Sequence, residues 1–153
     1  MKDKLKRLEE TIKHVTDFAE RFPPGIVTLK PDLIAFSANE IIYHLLEVEE
    51  LWQRRIKQLL HTSDRHFQQI DPDALAKEHR YNEQSYEEGI AKWKAARKQT
   101  IALVSGMTPE QSMLKGIHSR YGEMDTARIL DTMADHDMQH LRQMERTLAT
   151  VSK

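Results

Sequence analysis

The sequence contains no cysteine. That excludes a disulfide framework, a thiolate metal site and a cysteine nucleophile, so any metal must be held by nitrogen and oxygen ligands. Glycine and proline number only five each in 153 residues, too few for an all-β protein built from many turns, and long amphipathic helices are expected instead. An excess of one charge is also missing, since 23 Lys plus Arg stand against 24 Asp plus Glu. No positive field is left to condense on nucleic acid or an acidic membrane surface. No apolar run is long enough to span a bilayer, and the amino-terminal MKDKLKRLEE is charged throughout rather than basic and then apolar. A cytoplasmic chain without leader or anchor is expected. The length suits one domain over 1–153, with enough apolar surface to fold unaided.

Apolar residues recur at helical spacing in four stretches. Leu5, Leu8, Ile12, Val15, Ala19 and Phe22 predict a first helix from Lys2 to about Arg21, stopped by Pro23-Pro24-Gly25 because proline lacks the amide a helix needs. Ser37 and Glu40 have capping-box spacing and predict the start of a second helix, with Ile41, Leu45, Val48, Trp52, Ile56 and Leu59 on its inner face. The periodicity fades between His61 and Arg80, where Asp71-Pro72 marks a short capped turn within a connection. A third helix is predicted from between Asn82 and Ser85 to Ser105-Gly106, its face running Tyr86, Ile90, Trp93, Arg97, Ile101 and Val104. Thr108 to Gln111 reads as another brief capped turn and Gly116 to Gly122 as loop. Asp125 caps a fourth helix whose stripe is Ile129, Met133, His136, His140 and Met144. The class is all-α, a four-helix bundle, with room for a crossover in the long second connection.

Two of the five central positions in that last stripe are histidine. His136 and His140 stand one turn apart on a common face, so one ion can take both. Spacing alone is weak evidence, since eight histidines scattered at random give roughly 0.4 such pairs. Position says more: an imidazole in an apolar stripe must have its nitrogens satisfied or it costs about 1–3 kcal/mol. His44, on the inner edge of the second helix, supplies a third ligand if the two helices face each other. Three neutral imidazoles leave coordination positions open, and zinc or nickel suits them better than magnesium or calcium. Thr132, Gln143 and Glu47 lie within one turn of the three and could orient them. His14, His61, His66, His79 and His118 are expected to be ordinary solvated residues.

Three segments resemble the DinB-like family, also called DinB/YfiT-like metalloenzymes. SANEIIYHLLEVEELWQRRI looks like its first metal-binding helix, and RYNEQSYEEGIAKWKAARKQT is similar to its third helix. TPEQSMLKGIHSRYGEMDTARILDTMADHDMQHLRQMERTL resembles its last third. The likeness covers nearly all of the chain after Pro31. Phe36 stands where many members carry tryptophan, a change expected to leave the ligands untouched. The resemblance implies an up-up-down-down four-helix bundle, frequent homodimers, and metal ligation by His44, His136 and His140. The activities it implies are thiol-linked, such as transfer of bacillithiol or another low-molecular-weight thiol to an electrophile.

Two functional readings follow from a metal held this way. One is an enzyme, a thiol transferase or a hydrolase, acting on a small molecule. The other is a metal-bearing binding or stress protein without turnover. A bundle whose histidines are merely hydrogen-bonded is the bland alternative to both.

Overall fold

The computed structural model describes residues 1–153. Six helices form: α1 (Lys2–Arg21), α2 (Ala38–His61), α3 (Pro72–Glu78), α4 (Tyr86–Ser105), α5 (Pro109–Ser112) and α6 (Thr126–Val151). The four long ones are α1, α2, α4 and α6. Their starts follow from local chemistry. Ser37 accepts from the Glu40 amide while the Glu40 carboxylate accepts from the Ser37 amide, so two otherwise free donors of α2 are satisfied reciprocally. Asp125 caps α6 and Ser85 caps α4. The turns predicted at Asp71 and Thr108 are the capped short helices α3 and α5. No helix is long and apolar enough to cross a membrane.

Polar cross-links reveal the helix directions. On α4, Arg97 donates to Leu8 O and Tyr86 to Ala19 O, so α1 and α4 are antiparallel. Lys4 with Asp131, Arg7 with Asp135 and Thr11 with Asp137 make α1 and α6 parallel. Tyr43 with Ser85 and Gln53 with Ala96 make α2 and α4 parallel. At one end Ile41 shares a cluster with Met144, and at the other Trp52 and Ile56 share one with Ile129 and Leu130, so α2 and α6 are antiparallel. In chain order the bundle therefore runs up, down, down, up. The four-helix bundle is as expected, but the order of directions differs from up-up-down-down. A parallel α2–α4 pair forces the chain to travel back along the bundle, and residues 62–85, with α3 among them, are that crossover.

One element was not foreseen. Gly116–His118 (β1) and Gly122–Met124 (β2) form a small antiparallel hairpin, where loop was expected. Its strands are three residues each, too short for a period-two pattern to register. Gly122 turns the chain with φ +72, a conformation that suits glycine. The hairpin is tied to the crossover: Ile117 donates to Arg65 O and accepts from Phe67 N.

Candidate metal centre

His44 projects from α2, and His136 and His140 from α6, across the antiparallel seam. His44 Nε2 lies 3.3 Å from His136 Nε2, which lies 3.0 Å from His140 Nε2. One ligand atom from each of the three falls within 4.8 Å of the others. Two nitrogens about 2.0–2.1 Å from one ion stand roughly 2.9 Å apart at a right angle and roughly 3.3 Å apart at the tetrahedral angle. The two separations made with His136 fall in that range, so the three histidines could hold a single transition-metal ion.

Protonation state agrees with the geometry. Burial, with His140 close by, pulls His44 down to about 3, and burial with both neighbouring imidazoles pulls His136 down to about 2. Burial also lowers His140. All three are neutral near pH 7, the form that binds metal. The tautomer of His140 is set by its neighbour. Gln143 Oε1, which can only accept, lies 2.6 Å from His140 Nδ1, so the proton sits on Nδ1 and the Nε2 lone pair faces the cluster.

Gln143 therefore orients an imidazole as the sequence suggests, whereas Thr132 and Glu47 do not. Thr132 donates to Arg128 O on its own helix, and Glu47 bonds His79 in the crossover. Phe36 packs near the cluster. Its ring lies 5.8 Å from that of His44, so this position packs directly on one of the three imidazoles.

Behind the histidines is a buried ion cluster. Arg97 makes paired bonds to Glu49 at 2.8 and 2.9 Å and to Asp137 at 2.9 and 3.1 Å. Thr100 donates to Glu49 and Thr11 to Asp137. Burial alone disfavours the guanidinium charge, but Asp137 and Glu49 outweigh it and hold Arg97 protonated. Burial lifts the Asp137 carboxyl above the ordinary carboxylate range, against the lowering effect of the Arg97 guanidinium and the Thr11 hydroxyl bond. The sequence places Arg97 in an apolar stripe, and that misplaced charge was the legible signal. Its partners on α2 and α6 were not legible.

A cavity of about 630 Å³ opens beside the centre, with His44, Trp52, His136 and His118 in its wall. His118, expected to be solvated, is 7% exposed and stacks on Trp52 with ring centres 6.1 Å apart. The hairpin carries it there: in β1, Gly116 and His118 face inward while Ile117 faces out. His14, His61, His66 and His79 are exposed, as expected.

An antiparallel helix pair brings three neutral imidazoles toward one point beside a cavity large enough for a small molecule, a group in a helical bundle that could hold a metal ion. The chain belongs to the DinB superfamily, whose family model matches residues 7–144. YfiT from Bacillus subtilis, described as a probable metal-dependent hydrolase with an unusual four-helix bundle topology, superposes with a TM-score of 0.84 at 14% identity. That match covers 95% of this chain and 84% of YfiT. TT2238, described as a four-helix bundle protein, gives a TM-score of 0.71 at 21% identity over 95% of this chain and 98% of its own. No curated protein matches in sequence.

Proposed function

We propose that this protein is a divalent-metal-dependent enzyme, with His44, His136 and His140 as the ligands and zinc or nickel as the ion. The observation that carries this reading is the convergence of three Nε2 atoms from two antiparallel helices beside an open cavity. A divalent transition ion at that point acts as a Lewis acid and lowers the pKa of water or of a thiol. The chain's own residues do the rest. Gln143 holds the His140 proton on Nδ1, the α2–α6 seam fixes the three rings, and Trp52 and His118 shape the space in which a small molecule sits. Water as the nucleophile gives a hydrolase, in keeping with the description of YfiT. A low-molecular-weight thiol such as bacillithiol gives a transferase.

Metal analysis tests the ligand set. Wild type is expected to hold about one ion per chain, and His44→Ala and His140→Ala to lose it with helical circular dichroism largely kept. Metal retained by either variant removes that residue from the site. Incubation of the loaded protein with ester substrates, and separately with thiol plus a model electrophile, distinguishes the two reactions. Tight binding of a small molecule that is recovered unchanged in every assay overturns the enzyme reading in favour of a binding protein.

A further inference from the structure

The cavity wall carries positive charge that nothing in the protein balances. Arg55 is 4% exposed, with its guanidinium carbon 4.4 Å from the centre of the Trp52 ring and 5.5 Å from that of Phe67. Nη2 donates to Gln68 O at 2.7 Å, and Nε has no acceptor. No carboxylate pairs with it, in contrast to Arg97 with its two and to Arg7 with Asp135. Burial lowers Arg55 to about 10, which leaves it a cation at neutral pH. A buried guanidinium without a counter-ion is costly, and stacking on an aromatic ring returns only part of that cost.

The groups around it add to the same sign. His118 Nδ1 accepts from the Arg120 and Tyr121 amides at 3.0 and 3.2 Å, so its proton is on Nε2 and that atom is a donor. Burial, then the charges of Arg55 and Arg120, pushes His118 down, which places all three in one field. Arg142 lines the same cavity. The only acid in the lining is Asp135, already bound to Arg7 at 2.6 Å. A chain of net charge −1 has thus gathered unpaired arginines at one cavity.

We propose that Arg55, with His118 and Arg120 beside it, receives an oxyanion of the substrate, a small molecule with a carboxylate or phosphate at one end and its reacting group at the other. Helix geometry sets the span. Side chains lean toward the N-terminus of their helix, and the Arg55 guanidinium lies back over Trp52, eight residues beyond His44. That is on the order of 12 Å along the axis. The reacting end rests on the metal-dependent reading above; the oxyanion end rests on Arg55 and its neighbours His118 and Arg120, independent of any metal.

Calorimetric titration of zinc-loaded and EDTA-stripped protein with inorganic phosphate, and separately with succinate, tests this at fixed ionic strength. Saturable binding is expected in both forms, weakened about tenfold or more by Arg55→Met and less by Arg55→Lys and Arg120→Gln. The tighter of the two probes assigns the oxyanion as phosphate or carboxylate. Absence of saturable binding overturns the proposal, and so does binding that needs zinc and ignores both arginines. Should Arg55→Met fail to fold, Arg120→Gln, at an exposed position, decides. Zinc content measured on the same samples separates the two ideas. Stoichiometric zinc without arginine-dependent binding sinks the oxyanion site alone; arginine-dependent binding in a protein that takes up no zinc sinks the metal reading alone.

Discussion

His44 and His136 stay neutral down to about pH 3 and 2 because burial disfavours their charged forms, whereas in the unfolded chain they titrate near the ordinary histidine value of about 6.5. Below that value the unfolded state binds protons that the native state refuses, so stability falls as pH falls. The contribution is fully present above about 6.5 and is lost progressively toward the folded values. For metal-free protein, the urea midpoint is expected to drop between pH 7.5 and 5.5, with about 1 kcal/mol from His44 alone at the lower pH. A His44→Ala, His136→Ala double variant should flatten the profile over that window. Equal slopes in both proteins count against buried neutral imidazoles.

At the same scale, loss of Arg97 is costly. Arg97→Met leaves Glu49 and Asp137 buried, 2% exposed each, with no counter-charge. Breaking such a cluster from one side costs about 3–5 kcal/mol, or roughly 10 °C in Tm for a chain of this size. A loss under about 1 kcal/mol by chemical denaturation shows that the cluster rearranges or takes up water.

Helix-to-helix distance decides what the elements tolerate. Gly89 on α4 packs closely against α2: an added Cβ meets Tyr43 Cε2 at 2.7 Å and Ile42 Cγ2 at 3.0 Å. Alanine in a free helix gains about 1 kcal/mol over glycine. Here the clash is expected to win, with Gly89→Ala destabilising the protein by about 1–3 kcal/mol, because the Tyr43 ring is pinned by its hydroxyl bond to Ser85 O. An increase in the denaturation midpoint shows that the tyrosine can step aside. The consequence reaches function, since Tyr43 precedes His44 and any shift of α2 at this level moves an imidazole.

On the scale of the molecule, the proposed ion shared by α2 and α6 would link opposite runs of the bundle and would bind only when they are assembled. Stabilisation by mass action follows: about 4 kcal/mol at a thousandfold excess of zinc over Kd, or roughly 10 °C in Tm. The rise should be reversed by EDTA and absent from His140→Ala. A rise that survives in that variant means zinc binds elsewhere, with exposed His14, His61, His66 and His79 as the first places to look.

Periodicity, capping residues and the His136–His140 spacing are local properties of consecutive residues, so the four long helices, their starts and the paired imidazoles were readable from the chain by itself. His44 was readable only as an inner-edge position on a capped helix, a candidate that depended on how α2 and α6 face each other. Three things were decided only by tertiary packing. The directions of the helices depend on how the 62–85 crossover returns along the bundle, and no local pattern encodes that path. The Glu49–Arg97–Asp137 cluster joins residues on three helices; Arg97 stood out in its apolar stripe, but Glu49 and Asp137 were unremarkable charges in their own segments. His118 enters the cavity wall because a three-residue strand is pinned to the crossover, turning a histidine inward and an isoleucine outward. Burial of a polar group depends on what covers it, and covering is a property of the assembled molecule.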